Sequence, residues 1–79
     1  MKVEGVEIPA AAIDYALRQM RADTRISFTA QEVEAWLRVG GCPEMSSYRA
    51  TDRLFQRERQ QGRISFHKSF WIWHKKEFA

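Results

Sequence analysis

Residues 46–61 contain the side chains whose types and spacing are best suited to chemistry. At about 100° per residue, five polar residues of this segment cluster on one side of a helix. They are Arg49, Asp52, Arg53, Gln56 and Gln60. Arginine can donate two hydrogen bonds to the edge of a guanine, and glutamine can pair in the same way with adenine. The alternative is an ordinary solvated helix surface, on which these side chains make polar contacts with one another at spacings of three or four residues.

The opposite side of the same helix is mostly apolar, which indicates that it faces the core. Its members are Ala50, Thr51, Leu54 and Phe55. Ser46 or Ser47 is expected to cap the helix, and Gly62 is expected to end it. Glu58 falls near the middle of this inward side, where a buried carboxylate is costly unless it is paired. Either the end of the helix lifts off the core or Glu58 meets an arginine.

The distribution of charge favours an anionic partner for the second half of the chain. Residues 1–45 have five basic and seven acidic residues, a net charge of −2. Residues 46–79 have eight basic and three acidic residues, a net charge of +5. Nucleic acid is the commonest large anion, although a solvated charged surface would give the same pattern. A chain of 79 residues forms one small domain without room for two lobes and a cleft, which weighs against an enzyme.

The sequence before residue 29 predicts one helix and one short strand. Pro9 suits the first position of the helix, which should end near residues 22–23. The apolar stripe of this helix consists of Ile13, Ala16, Leu17 and Met20. Residues 25–28 then alternate between polar and apolar side chains, as in a very short half-buried strand.

A second helix is predicted from the signals at its two ends. Thr29 and Glu32 form a capping box, in which the hydroxyl accepts from an amide and the carboxylate reaches back to the cap. The helix therefore begins at Ala30 and ends at Gly40-Gly41. Its buried face consists of Val33, Trp36 and Leu37. Residues 42–45 form a turn, because the proline among them cannot continue a helix.

Residues 63–74 predict a β-hairpin with Lys68-Ser69 in its loop. A two-residue loop would place on one face Ile64, Phe66, Trp71 and Trp73. A three-residue loop would instead turn inward Ile64, Phe66, Phe70 and Ile72, and leave the tryptophans outside. Only one face can turn inward, so we expect Trp71 or Trp73 to be substantially exposed and to contact a second copy or a partner protein. Packing of these aromatic side chains into the core is the competing interpretation.

The predicted order is helix, short strand, helix, turn, helix and hairpin, in one α+β domain of residues 1–79 with frayed ends at 1–7 and 75–79. This order, the Thr29 cap, the serine-capped third helix and the entry into the hairpin after Gly62 resemble the winged helix-turn-helix superfamily. The resemblance covers nearly the whole chain and concerns architecture, not one particular family. One departure is Glu58, because such domains usually place an apolar residue four positions before the glycine that ends the helix.

The resemblance implies that the N-terminal part of the third helix faces bases in the major groove. Matched by position, the candidate base-facing residues are Ser47, Arg49, Asp52, Arg53 and Gln56. Tyr48 and Thr51 flank this face and could bond phosphates. The hairpin would then be the wing, with His67 and Lys68 at its tip and Arg63 at its base as further candidates for DNA binding. A solvated turn is the alternative interpretation of the tip.

These features favour a protein that binds double-stranded DNA, as a small transcriptional regulator or an accessory factor of a prokaryote or phage. The third helix would enter the major groove, and the wing and basic tail would lie on phosphates. The alternative is a protein-interaction module of the same fold, without DNA binding. In that case the aromatic hairpin or the acidic first half binds a partner, and the arginine face only keeps the domain in solution.

Other kinds of site are not indicated. The spacing of Cys42, His67 and His74 fits no known metal pattern, and three dispersed ligands are too few for a structural zinc. We expect no cofactor, because the chain has no glycine-rich phosphate loop, and no enzyme activity, because it has no catalytic constellation. A single cysteine cannot form an internal disulfide, and the charged N-terminus is no secretory signal. With no apolar run long enough for a membrane span, we expect a cytoplasmic protein.

Overall fold

The computed structural model describes residues 1–22 and 27–74, and this part of the chain has three α-helices and two short β-hairpins. One turn of 3-10 helix, Glu44–Ser46, precedes the last α-helix. In chain order the elements are β1 (Lys2–Val3), β2 (Val6–Glu7), α1 (Ala10–Met20), α2 (Ala30–Val39), α3 (Ser47–Gln60), β3 (Ile64–His67) and β4 (Phe70–Trp73). The fold is therefore a small α+β domain, with three helices followed by a two-stranded hairpin.

Helix α2 begins and ends where its signals predict. The Thr29 hydroxyl accepts a hydrogen bond from the Glu32 amide at 3.2 Å, and Glu32 Oε1 accepts one from the Thr29 amide at 2.9 Å. This capping box satisfies two amides that the first turn would otherwise leave without partners. Gly40 follows the last helical residue, and Gly41 takes a left-handed φ of 110° that only glycine adopts easily. The predicted limits of the second helix are confirmed.

Helix α1 packs closely against the end of α2. Pro9 lies just before the helix, which begins one residue later than predicted and ends at Met20, earlier than the expected residues 22–23. A Cβ added to Gly40 would lie 2.5 Å from the Ala12 Cα atom, so the two backbones meet at a distance that only glycine allows. This contact sets the separation of the two helices.

Helix α3 begins without the predicted serine cap. Ser46 precedes the helix but its side chain makes no capping hydrogen bond. Its backbone already has helical angles, φ −99° and ψ −8°, because the 3-10 turn leads directly into α3. A capping side chain requires an extended residue at this position, so the prediction is corrected. The other end agrees with expectation, since Gly62 has a left-handed φ of 74° and the chain turns there into β3.

The C-terminal hairpin has the register of a two-residue loop. Ile64 pairs with Trp73, and His67 pairs with Phe70, which leaves Lys68 and Ser69 in the loop. Lys68 has a left-handed φ of 59°, as tight two-residue loops require. The three-residue alternative is therefore wrong.

A further pair of backbone bonds lies on the other side of β4. The Phe28 amide donates to the Trp71 carbonyl at 2.9 Å, and the Trp71 amide donates to the Phe28 carbonyl at 2.8 Å. The end of the predicted strand at 25–28 thus lies beside β4. Residues 25–26 of that prediction lie outside the described residues.

The first seven residues form a hairpin and are not frayed as expected. Lys2 pairs with Glu7, and the two-residue turn at Glu4 and Gly5 has φ angles of 49° and 82°, as in a type I′ turn. Val3 is 3% exposed and belongs to the core. The expectation is corrected because burial of this side chain holds the segment against the helices. The expected fraying at 75–79 lies outside the described residues.

The core draws on every helix and on both hairpins. Its buried hydrophobic residues are Val3, Ile8, Ala12, Ile13, Ala16, Met20, Phe28, Val33, Leu37, Cys42, Ala50, Leu54, Phe55 and Ile64. Leu17 and Trp36, predicted to be core residues, pack against this cluster and are partly buried. Ile26, another predicted member, is outside the described residues. In the described part of the chain, each helix is too short or too polar to cross a membrane.

Substitution of Gly40 by alanine should destabilise the fold. We expect Gly40→Ala to lower the free energy of unfolding by about 1–3 kcal/mol, because the new methyl group would force α1 and α2 apart. Val39→Ala is the control, since Val39 is 71% exposed in the neighbouring position, and its effect should stay within about 0.5 kcal/mol. Urea denaturation measures both. If the two variants had the same free energy of unfolding, α1 and α2 could move apart without loss of stability, and the close contact at Gly40 would not constrain the fold.

Candidate nucleic-acid interface

Helix α3 divides into a buried side and an exposed side, as its periodicity predicts. Its buried residues are Ser47, Ala50, Thr51, Leu54, Phe55 and Glu58. Its exposed residues include five candidates for DNA binding, namely Tyr48, Arg49, Asp52, Arg53 and Gln56. The structure therefore brings these five side chains together on one continuous surface.

Ser47 is not on that surface, which corrects its selection as a base-facing residue. Its side chain is buried, and its hydroxyl donates to the Glu44 carbonyl at 2.8 Å and accepts from Arg38 Nη1 at 3.0 Å. The 3-10 turn before α3 tucks this serine beneath the end of α2. Thr51, expected to flank the face and bond phosphates, is likewise buried, at 2% exposure. Both residues serve the packing of α3 on the rest of the domain.

The exposed side of α3 has two polar contacts that constrain its arginine and amide groups. Gln56 Nε2 donates to Asp52 Oδ2 at 3.5 Å, one helical turn away. Arg49 Nε lies 3.1 Å from Glu4 Oε1 at the turn of the first hairpin. Arg49 and Glu4 are both about two-thirds exposed, so this ion pair contributes only about 0–1 kcal/mol to stability. Sequence reasoning missed Glu4, although the Glu4-Gly5 pair between two valines was a signal for a tight turn.

Glu58 resolves the question raised by its position on the inward side of α3. Its carboxylate is 3% exposed and lies between two guanidinium groups, with Arg57 Nε 3.1 Å from Oε2 and Arg63 Nε 3.0 Å from Oε1. The Arg63 amide also donates to the Glu58 carbonyl at 3.0 Å. The end of the helix therefore stays on the core, and the arginine pairing foreseen as one of two alternatives is confirmed.

The same contacts define the place of Arg63, a predicted DNA-binding residue at the base of the hairpin. Its side chain is about one-third exposed, and its Nε lies 3.0 Å from Glu58 Oε1 in an ion pair. Its carbonyl accepts a hydrogen bond from the His74 amide at 2.8 Å, which closes the hairpin at its open end. Arg63 thus links α3 to both strands, a structural role that sequence reasoning did not foresee.

The tryptophans of the hairpin are not its exposed aromatic residues. Trp71 is partly buried, with its ring centroid 4.5 Å from that of Phe55 in α3. Trp73 is also partly buried, and the Arg21 guanidinium lies 5.9 Å from its ring centroid. The expectation that one of them is substantially exposed is wrong, because Phe55 covers Trp71 and Arg21 lies over Trp73, whereas Phe66 on the same face is closer to the loop. Phe66 and Phe70 are exposed instead.

The tip of the hairpin carries His67 and Lys68, both exposed as predicted for a region that could meet phosphates. From Arg63 to His74 the chain has no acidic residue. Along α3 there are four arginines and two carboxylates, and one of these carboxylates, Glu58, is already paired with two arginines. The exposed surface of α3 and the hairpin is therefore basic, which suits a polyanion.

Cys42 has the wrong environment for a nucleophile. It is 5% exposed, and burial raises the pKa of its thiol above the ordinary value, an effect that the nearby Arg38 charge partly opposes. A thiol with a raised pKa has little thiolate at neutral pH and reacts slowly. Within residues 1–22 and 27–74, no three His, Cys, Asp or Glu side chains are grouped so that they could hold a metal ion.

No protein-family model, no curated protein and no solved structure matches this chain. What the surface offers is a row of exposed arginine, glutamine and tyrosine side chains on one helix, next to a hairpin without acidic residues. Such groups can donate hydrogen bonds to base edges and phosphates.

Neutralising Glu58 should loosen the junction of α3 and the hairpin. We expect Glu58→Gln to lower the free energy of unfolding by about 1–3 kcal/mol, because two guanidinium groups lose a charged acceptor in a buried place. Urea denaturation, followed by the fluorescence of the tryptophans, measures the change.

The control for this variant is Asp14→Asn, which removes an exposed ion pair with Arg18 at 3.5 Å. Its effect should stay below about 1 kcal/mol. If the two variants lose the same stability, burial of Glu58 has no energetic consequence.

Proposed function

We propose that this protein binds double-stranded DNA as a winged helix-turn-helix domain, with α3 in the major groove and the β3–β4 hairpin as the wing. The observation that carries the proposal is the division of α3: one side lies in the core, and the other presents arginines, glutamine and tyrosine to solvent. The order of α1, the Phe28 segment beside β4, α2, α3 and the hairpin supports it. Such a protein would act in the cytoplasm as a small regulator or accessory factor.

The dimensions of α3 suit a major groove. An α-helix with its side chains is about 10–12 Å in diameter, and the major groove is about 12 Å wide, so the groove can admit the 14-residue α3 along its length of about 21 Å. Arg49, Arg53 and Gln56 follow one another at helical spacing on the exposed side. Arg49 and Arg53 are four residues apart, which separates them by about 6 Å along the axis. Since base pairs stack at about 3.4 Å, the two arginines would reach different base pairs.

The ion pair between Arg49 and Glu4 is compatible with base contact. It is exposed, so breaking it costs about 0–1 kcal/mol. A bidentate contact of arginine with guanine contributes about 1–3 kcal/mol of discrimination. The ion pair with Glu4 is therefore too weak to keep Arg49 from a base edge.

The basic residues outside the base-facing row would supply affinity that does not depend on sequence. Residues 46–74 contain six basic and two acidic residues, a net charge of +4. Contacts of lysine and arginine with phosphates release counterions and make binding weaker as salt rises. Lys68 at the hairpin tip is the clearest candidate for such a phosphate contact, because it is exposed and is the basic residue of the two-residue loop.

A protein-interaction module is the second candidate function, favoured by the exposure of Phe66 and Phe70 on the hairpin. Exposed aromatic side chains are common at protein interfaces. In this interpretation a second copy or a partner protein would cover the hairpin through these residues, while Trp71 and Trp73 support it from below. Dependence of binding on salt and on duplex DNA separates the two functions.

Loss of the two arginines should abolish specific DNA binding. At a preferred sequence selected from a random duplex pool, we expect Arg49→Ala and Arg53→Ala each to weaken binding by about 1–3 kcal/mol. Titrations followed by fluorescence anisotropy measure the dissociation constants.

Arg18→Ala is the matched control, because Arg18 is equally exposed but lies on α1 in an ion pair with Asp14. Its affinity for the selected site should equal that of the parent. Should the Arg49/Arg53 double variant bind duplex DNA as well as the parent, the assignment of α3 to the major groove is wrong.

Loss of Lys68 should act on all sequences alike. We expect Lys68→Gln to weaken binding to the selected and to random duplexes by the same factor, and to flatten the slope of log affinity against log salt by about one unit. Titration at four salt concentrations measures the slope. If the slope for Lys68→Gln equals that of the parent, the hairpin tip does not contact phosphates.

A further inference from the structure

Two phenylalanines stand exposed at the tip of the C-terminal hairpin. Phe66 is 54% and Phe70 is 48% exposed, and they lie on either side of the two-residue loop. Because Phe66 pairs with Trp71 and Phe70 with His67, the two rings are on opposite faces of the tip. Each face of the hairpin therefore carries one exposed aromatic ring beside the polar Lys68-Ser69 loop.

Phe66 is supported from behind by a chain of aromatic rings. Its ring centroid lies 5.1 Å from that of Trp71, Trp71 lies 4.5 Å from Phe55, and Phe55 lies 6.0 Å from the buried Phe28. Phe55 belongs to α3, so force applied to the Phe66 ring is transmitted to the helix and the core. Because the Phe66 side chain packs against Trp71, it can keep its position when it contacts a ligand.

The charges around the two rings select the ligand. Arg63, His67, Lys68 and His74 are the titratable residues from position 63 to position 74, and no carboxylate lies among them. Two exposed aromatic rings beside the Lys68 cation, on a hairpin without carboxylates, complement stacked bases between two phosphate backbones. Minor-groove proteins commonly insert an apolar wedge between base pairs and so kink the duplex.

We propose that the hairpin tip enters the minor groove and that Phe66 wedges between two adjacent base pairs, bending the DNA. The inference rests on the proposed binding of duplex DNA and adds to it a deformation and a residue that causes it. Phe66 loses exposed apolar surface when it is inserted, which offsets part of the cost of unstacking. The protein would then favour steps that unstack easily, such as TA and CA/TG.

The test uses the full chain and a duplex of 40 base pairs with donor and acceptor dyes at its ends, with a preferred step at its centre. A second duplex has two adjacent mismatched pairs at the centre, where the step is already unstacked. The parent should bend the intact duplex by about 20–90°. It should also bind the mismatched duplex about tenfold more tightly, because unstacking there costs little.

Phe66→Ala should lose the bend and reduce the preference for the mismatched duplex to within about twofold. Phe66→Leu should retain part of both, because leucine also serves as a wedge. Val39→Ala, which trims an exposed apolar side chain on α2, should behave as the parent. Thermal unfolding checks each variant. If Phe66→Ala is unfolded, Phe66→Leu takes its place with an intermediate bend expected, and Phe70→Ala, on the opposite face, should bend DNA as the parent does.

The outcomes separate the two proposals. A parent that binds duplex DNA without bending it, and without preferring mismatches, overturns the wedge and leaves the proposed function standing. A parent that binds no duplex at low salt overturns both. A third outcome is that DNA bending does not depend on Phe66, whereas binding to vesicles of anionic lipid or self-association in sedimentation does. This result would assign the exposed phenylalanine to a membrane surface or to a second copy, and it would overturn the wedge.

Discussion

The pairing of one buried carboxylate with two arginines holds the third helix and the hairpin in a fixed relation. Glu58 is almost without solvent contact, and a lone carboxylate there would lift the helix end from the core. Arg57 and Arg63 approach its two oxygens from both sides, and each keeps part of its guanidinium in water. The desolvation cost of the pair therefore falls mainly on Glu58. The geometry lets the chain reverse at Gly62 and still place β3 against α3.

A second constraint, made of aromatic rings, reinforces the first. Phe28, Phe55 and Trp71 come from three distant parts of the chain and pack against one another as tilted rings. Phe28 is also bonded through its backbone to Trp71, and the capping box of α2 begins at the next residue, Thr29. The start of α2, the middle of α3 and strand β4 are thus fixed at one point, which compensates for the small core of a short chain.

These constraints leave one side of α3 and the tip of the hairpin available for a partner. The buried side of α3 holds the helix with Ala50, Leu54 and Phe55, so the exposed arginines contribute little to packing. Their number and spacing are consistent with the DNA-binding function that we propose, and the supported Phe66 with a role in deforming the duplex. In this view most of the chain serves to orient two short surfaces relative to one another.

Sequence alone determined the features that depend on residues a few positions apart. The capping box at Thr29, the turn at Gly62 and the inward side of α3 could be predicted, because each is set by local hydrogen bonds or by helical spacing. Tertiary structure decided which side chains meet across the chain. The bond between Arg38 and Ser47, the aromatic contacts of Phe55 and the exposure of Phe66 in place of the tryptophans depend on how separate elements pack. No local pattern specifies such distances, since each one follows from the positions of all the elements together.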